Sequence, residues 1–335
     1  MTHSDILGLL QHESRVLQGA ELTETHISWV ILTEKFVYKI KKPVQFSFLD
    51  FSTLSKRKFY CEQELQLNRR LTEGIYLDVV PIFLAADGTP RLHEQKGDPI
   101  EYAVKMKRMD SDRQMNILLE KELVNQQHME QLAEQLTAFH MSTEVITQAP
   151  NLKKMQDDFA DLIKIEPFLL EQWGDAAVND LKKGIAFSEE YLKINEERIY
   201  ARHLEGFTVD GHGDLHTKNI FLLEEPVIFD CIEFNDHFRH LDVLNELAFL
   251  CMDLDYYGKT GLSDYLYDAY NQRYRCVRDN QDEDLFQYYK LYRANVRLKT
   301  SALTAMQIEE DVEKRKAQMQ VVKRYFDLFS GYLDE

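Results

Sequence analysis

Cysteine is scarce in this chain: Cys61, Cys231, Cys251 and Cys276 are the four among 335 residues, and no two form a CxxC pair. Neither a disulfide framework nor a zinc site follows from such spacing, and a reducing compartment suits it. Basic residues are outnumbered, 40 Lys and Arg against 57 Asp and Glu, for a formal net charge of −17. That balance argues against a nucleic-acid partner, whose footprint on a protein is basic. It is consistent with solubility alone and also with the steering of cationic small molecules. No apolar run approaches the roughly 18 residues of a membrane span, so no membrane partner is expected. The stretch "MTHSDILGLLQHESRVLQG" carries acids where a signal peptide would be basic, and the expected location is cytoplasmic. There is no long Gly/Ser linker and no internal repeat.

What is present is a chain with 44% hydrophobic residues, long enough for two closely joined lobes with a cleft between them. From Thr25 to Lys42, "THISWVILTEKFVYKIKK" sets β-branched and aromatic residues on either side of a polar "TEK" and predicts a β-hairpin. "DFSTLSKRKFYCEQELQLNRRLTEG" predicts a helix, with Asp50 and Ser52 as candidate N-caps and Gly74 at its C-terminal end. Two further β-rich stretches, "LDVVPIFLAA" and "PIEYAVKMKRM", flank the turn-like "DGTPRLHEQKGD". Residues 1–110 therefore read as mostly sheet with one helix. Residues 111–335 read as helical, interrupted by the β-rich "NIFLLEEPVIFDCIEF", with helices resuming near Leu241.

The chemistry gathers in "GHGDLHTKNIF", where Asp214 and Asn219 stand in the order D-x-x-x-x-N, and in "VIFDCIEF", where Asp230 ends an apolar run eleven residues later. Transfer of a γ-phosphoryl group requires a carboxylate to orient the attacking hydroxyl and accept its proton, plus oxygen ligands for magnesium. Asp214 fits the first role, and Asn219 and Asp230 fit the second. Upstream, Lys39 ends the apolar strand "FVYKIKK", and Glu64 lies on the apolar stripe of the following helix with Tyr60, Cys61, Leu67 and Leu71. An acid on a buried stripe wants a partner, and Lys39 is the natural one, held thereby on the α- and β-phosphates of ATP.

With these residues in view, "HGDLHTKNI" resembles the H-R-D-x-x-x-x-N loop of protein kinases, and "IFDCIEF" resembles their D-F-G. The chain, from about Thr25 to Lys299, resembles the aminoglycoside phosphotransferase and choline kinase family of the protein-kinase-like superfamily. Within it, "THISWVILTEKFVYKIKKPV", "FDCIEFND" and "YKLYRANVRLK" resemble a bacterial branch often fused to a P-loop ATPase domain. No G-x-x-x-x-G-K-[ST] occurs in this sequence, so that domain is not expected in this chain. The resemblance implies an α+β fold of two lobes, a small antiparallel-sheet lobe with one helix and a larger helical one, with ATP in the cleft. It implies adenine against the backbone of "VKMKRM", including Lys107 and Met109.

The chain departs from protein kinases in "LTETHIS", which has no glycine where G-x-G-x-x-G covers the phosphates. Thr25, His26 and Ser28 stand there as side-chain donors or as an ordinary polar turn. His212 reads as a structural histidine tying the loop to Asp230 or nearby backbone, and His216 as either structural or substrate-facing. Glu233, Asn235 and Asp236 are candidates for recognising an amine or hydroxyl, or simply a solvated loop. Asp242 reads as a helix cap or as an anchor for the loop. Lys290, Arg293 and Arg297 share one helical face, suited to surface ion pairs or to an anionic substrate. The expected activity is phosphoryl transfer from ATP, with magnesium, to the hydroxyl of a small molecule such as a cationic amino sugar or amino alcohol. A protein kinase is disfavoured by the short span from Phe229 to Asp242, and a non-catalytic nucleotide-binding module by the full set of residues.

Overall fold

The strand alternation of "SWVIL" and "FVYKIK" sends two kinds of side chain to two faces, and this division organises the first part of the molecule. The computed structural model describes the chain except residues 13–16, 18, 93–96, 310 and 335. Its contacts divide it into two compact units, Met1–Ile117 with Lys218–Phe238, and Leu118–Thr217 with Arg239–Glu335.

In the first unit, α1 (His3–His12) precedes β1 (Glu21–Glu24), β2 (Ser28–Leu32) and β3 (Phe36–Lys41). The short hairpin of β4 (Gln45–Phe46) and β5 (Leu49–Asp50) leads to α2 (Leu54–Asn68). β6 (Tyr76–Leu84), β7 (Pro90–Arg91) and β8 (Glu101–Lys107) complete an antiparallel sheet in the order β1-β2-β3-β8-β6-β7. One face of it buries Trp29, Ile31, Tyr38, Ile40, Ile82 and Ala103 against Ile6 and Leu9 of α1. Each fully buried aliphatic side chain there contributes about 1.5–3 kcal/mol. On the other face, Tyr76 and Val104 cluster with Cys61 of α2.

The expected hairpin, central helix and two later strands are all present, with three differences. α1 adds a second helix, whose apolar positions Ile6, Leu9 and Leu10 recur at helical spacing over too few turns to stand out. The cap of α2 is Thr53, whose side chain accepts from the Lys56 N–H. Asp50 instead closes a turn by accepting from the Ser52 N–H at 3.0 Å, and Gly74 (φ 65°) lies beyond the Arg69 C-cap. "LTETHIS" is partly strand β1, leaving only the short turn around Thr25–Ile27 between β1 and β2. Part of "DGTPRLHEQKGD", residues 93–96, lies outside the described residues.

The segment Lys218–Phe238, expected within the larger part, packs with the β-rich unit. Its hairpin of β10 (Ile220–Leu222) and β11 (Pro226–Ile228) is tied to that unit by the Arg113 guanidinium, which donates to the Leu222 carbonyl at 2.9 Å. Just after it, the Cys231 N–H donates to Asn68 Oδ1 at 3.0 Å.

The second unit is built of α4 (Gln126–Ser142), α5 (Leu152–Ala160), α6 (Glu166–Ile194) and α7 (Glu196–Leu204), with α3 (Met115–Glu120) leading into it. After β9 (Thr208–Asp210), the chain returns through α8 (Asp236–Arg239) and β12 (His240–Asp242), which pairs with β9, to α9 (Val243–Tyr256), α10 (Thr260–Arg273), α11 (Asn280–Gln307) and α12 (Val312–Asp334). Leu241 is thus in a strand, and the helix begins at Val243, with Asp242 as N-cap accepting from the Leu244 N–H at 2.8 Å. Every residue of α9 from Val243 to Leu254 is buried, including the polar Asn245, Glu246 and Asp253, which marks it as a central helix. Phe249 and Met252 of α9 join Phe159, Leu181, Leu291, Leu298, Tyr325 and Phe329 in one core. No helix among the described residues is long and apolar enough to cross a membrane.

Gly184 of α6 sits under the Phe329 ring, where a Cβ would collide with a fully buried side chain. Gly184→Ala should therefore destabilise the fold: overpacking costs about 1–3 kcal/mol, which exceeds the roughly 1 kcal/mol gained in helix propensity. Urea denaturation measures it, and a raised midpoint would contradict this packing.

Candidate active site

A lysine at i and another at i+2 of one strand must share a face, and on β3 these are Lys39 and Lys41. Glu64, on the inner face of α2 and fully buried, meets both: Oε1 lies 2.9 Å from Lys39 Nζ and Oε2 lies 2.7 Å from Lys41 Nζ. Lys39 Nζ also donates to Asp230 Oδ1 at 2.6 Å, and Lys41 Nζ to Glu233 Oε1. Burial opposes the charge on Lys39, but Asp230 and Glu64 outweigh it and raise its pKa well above the ordinary value. Burial likewise works against ionised Glu64, yet the two lysines pull its pKa down to about 2. For Glu233 burial prevails over the pull of Lys41, and its pKa is raised.

The β10–β11 hairpin removes the eleven-residue separation between Asn219 and Asp230. Ile220 pairs with Ile228, and one position further the Phe229 N–H donates to the Asn219 carbonyl at 3.0 Å, so Asn219 faces the residue before Asp230. Asp230 has φ 64°, a left-handed conformation that aspartate tolerates better than most residues, and its N–H is held by the Tyr76 hydroxyl at 3.2 Å. An amide carbonyl and a carboxylate are hard oxygen donors, which suit a magnesium ion.

The remaining candidates in this unit are spread around the sheet. Thr25 closes the β1–β2 turn, its Oγ1 accepting from the Ser28 N–H at 2.9 Å, while His26 is exposed. Ser28 is buried, and its Oγ has no hydrogen-bond partner among the described residues. Lys107 lies at the far end of β3 from these, opposite Phe36, and its N–H is already spent on the Ile75 carbonyl. Met109 follows β8, half-buried. Asn235 accepts from the His237 N–H at 3.1 Å, and Asp236 is exposed at the start of α8.

In the helical unit, Asp214 sits in the loop that follows β9. Its side chain is 38% exposed and lies 3.3 Å from His216 Nε2. Against the cost of burial, His216 and Arg297 hold the Asp214 carboxyl well below the usual range, so it is ionised at neutral pH. His216 is buried edge-on against Phe249. The loop itself is fixed by α9: the Glu246 carboxylate accepts from the His212 N–H at 2.8 Å and the Gly213 N–H at 2.6 Å, and Asp253 accepts from the Thr217 N–H at 2.9 Å. Gly211 must lack a side chain, because a Cβ would stand 2.5 Å from Glu246 Oε2. His212 is buried, and its Nδ1 accepts from the Asp214 N–H at 3.2 Å.

Arg293 and Arg297 of α11 turn inward rather than toward surface acids. The Arg293 guanidinium is buried and donates to Asn245 Oδ1 at 2.6 Å and to the Gly213 carbonyl at 3.2 Å, and Arg297 donates to the Tyr325 hydroxyl at 3.1 Å. Lys290 pairs with Asp255 at 2.7 Å. Sequence reasoning missed Lys41, Glu246 and Asp253. Strand periodicity carried the signal for the first, and Glu246 and Asp253 lying among the many apolar residues of α9 carried it for the others.

An antiparallel sheet with its helix bearing Lys39 and Glu64, and a helical unit carrying the Asp214 loop, define an α+β fold of the protein-kinase-like class. Comparison with known proteins narrows it. No protein-family profile matches the chain. An uncharacterized protein of Mycobacterium tuberculosis (strain H37Rv) is 30% identical over 293 residues, which cover 84% of this chain and 55% of that protein. The chain thus spans about half the length of the curated relatives it matches. Among solved structures, a choline/ethanolamine kinase family protein from Mesorhizobium loti superposes with a TM-score of 0.51 at 14% identity, covering 97% of this chain and 98% of that one. Aminoglycoside 2'-phosphotransferase-IIIa in its GDP complex superposes with a TM-score of 0.51 at 13% identity, covering 96% of each chain. The chain has the fold that choline/ethanolamine kinases share with aminoglycoside phosphotransferases.

Glu246 also bonds His140 Nε2 at 2.8 Å, and despite burial these partners hold its pKa at about 2. Since an unfolded glutamate titrates near 4.3, this carboxylate contributes roughly 3 kcal/mol of stability above about pH 4.3, lost as pH falls toward 2. Glu246→Gln should flatten that part of the stability–pH curve, as read by denaturant midpoints between pH 6 and 3. An unchanged curve would remove Glu246 as the anchor of the loop.

Proposed function

We propose that this protein is an ATP- and magnesium-dependent phosphotransferase that moves the γ-phosphoryl group to a hydroxyl of a small molecule of the cationic amino-sugar or amino-alcohol class, in the cytoplasm. The observation that carries the reading is the sharing of Lys39 Nζ between Glu64 and Asp230 at 2.9 and 2.6 Å. A lysine so held can pass from the Asp230 carboxylate to phosphate oxygens without leaving Glu64. The names of the structural relatives, a choline/ethanolamine kinase family protein and an aminoglycoside phosphotransferase bound to a nucleotide, support the acceptor class and nucleotide use. The net charge of −17 favours a cationic acceptor and disfavours nucleic acid.

Asp214, ionised and partly exposed, orients the acceptor hydroxyl and receives its proton late in a loose transition state. Lys39 positions the phosphates, and Glu64 keeps Lys39 in place. Asn219 and Asp230 hold the metal, which when bound supplies charge neutralisation on the phosphate oxygens. Thr25, His26 and Ser28 contribute donors at the β1–β2 turn, and the backbone at Lys107 and Met109 lies along the base. His216 steadies Asp214, while Asn235 and Asp236 meet the acceptor.

A ligand bound only by the folded state stabilises it, by about 2.7 kcal/mol at a hundredfold excess over Kd. Millimolar MgATP should therefore raise the melting temperature, and EDTA should abolish the rise. No shift in thermal denaturation would end the nucleotide reading.

Asp214→Asn should lower turnover by orders of magnitude on a panel of amino alcohols and amino sugars while leaving MgATP affinity near wild type. Asp230→Asn should impair both binding and turnover. Calorimetric titration beside steady-state rates separates them, and the opposite pattern would exchange the two roles.

A further inference from the structure

Two buried residues in the β-rich unit have no part in the chemistry above. Lys41 is fully buried, and Glu233 is nearly so. Lys41 Nζ lies between Glu64 Oε2, at 2.7 Å, and Glu233 Oε1, and its ammonium also lies 4.9 Å from the centre of the Phe51 ring. The contacts form a closed circuit. Asp230 contacts Lys39, Lys39 contacts Glu64, Glu64 contacts Lys41, and Lys41 contacts Glu233, which returns to Asp230 through the two residues between them.

Desolvation makes a buried ion pair a poor source of net stability, and apolar residues of similar volume often serve as well or better. What such a pair does supply is direction: each carboxylate oxygen of Glu64 is claimed by a different lysine, so its plane cannot rotate. The segment carrying Asp230 is pinned by the Asp230 N–H on the Tyr76 hydroxyl, by the Cys231 N–H on Asn68 and by Glu233 on Lys41. We propose that Lys41 and Glu233 are positioning residues, a strut that fixes the Glu64 carboxylate and the Asp230 segment so that Lys39 and Asp230 are set for nucleotide and metal. This rests on the nucleotide reading given above for the purpose of the strut, while the strut itself can be tested without nucleotide.

The test replaces both charges by methionine, Lys41→Met with Glu233→Met, which preserves volume and leaves Glu64 paired with Lys39. Two quantities are measured on variant and wild type, the acetylation rate of Lys39 by acetic anhydride, followed by peptide mass spectrometry, and the Kd for MgATP by calorimetry. The expected result is a melting temperature at or above wild type, several-fold faster acetylation of Lys39, and an affinity for MgATP reduced about ten- to a hundredfold, the usual cost of losing a residue that orients a ligand-holding side chain. Unchanged acetylation in the folded variant overturns the strut, as does an unchanged Kd in a protein whose wild type binds MgATP. Faster acetylation in the variant, with no MgATP binding even by wild type, upholds the strut and ends the nucleotide reading instead. If the double variant does not fold, Glu233→Gln, which keeps the shape of the side chain, is subjected to the same two measurements and judged by the same outcomes.

Discussion

The Glu64 carboxylate is the interaction on which the β-rich unit depends. It sits where no water reaches it, and an unpaired carboxylate there would cost several kcal/mol. Its two lysines lie on one face of β3, so meeting that cost requires α2 to lie across the sheet with this turn of the helix over this pair of strand positions. Once α2 is placed, Asn68 at its end receives the Cys231 N–H, and the hairpin that carries Asn219 and Asp230 is anchored. A single buried acid thus links strand register, helix placement and the position of a distant segment.

The helical unit meets a similar constraint with the roles reversed. The loop around Asp214 runs through the interior, and its backbone N–H groups need acceptors that no neighbouring strand supplies. Glu246 and Asp253, projecting from the buried stretch of α9, provide them; His140 and the Tyr325 hydroxyl hydrogen-bond to these carboxylates, and the nearby Arg297 charge favours ionised Asp253 against the cost of burial. Arg293 holds the Gly213 carbonyl at the same loop. The one acid left partly open to solvent in this cluster is Asp214, and its neighbours keep it ionised.

Shared architecture says little by itself about the acceptor, because one fold hosts many substrates. The solved structures that share this fold are at most 14% identical to the chain among those compared above, so the reading of function rests on the residues of the site. The candidate residues are found in both units: Lys39, Glu64, Asn219 and Asp230 belong to the β-rich one and Asp214 to the helical one.

Local pattern determined much of this protein. Alternation in "THISWVILTEKFVYKIKK", the helix that follows (though not its caps), and the long helical stretches after "DSDR" were legible because strand and helix periodicities are properties of neighbouring residues. The pairing of Lys39 with Glu64 was legible too, since an acid on an apolar helical stripe must find a cation. Only the tertiary structure decided where residues 218–238 belong, because the hydrogen bonds that hold them come from Arg113 and Asn68, more than a hundred residues away. It alone decided that Arg293 and Arg297 face inward, since a helix with cations at i and i+4 reads the same whether solvent or a buried loop lies opposite. Lys41, Glu246 and Asp253 fall between these cases: periodicity marks them as buried, but which partner neutralises each depends on what the fold brings within about 3 Å, and sequence spacing carries no record of that distance.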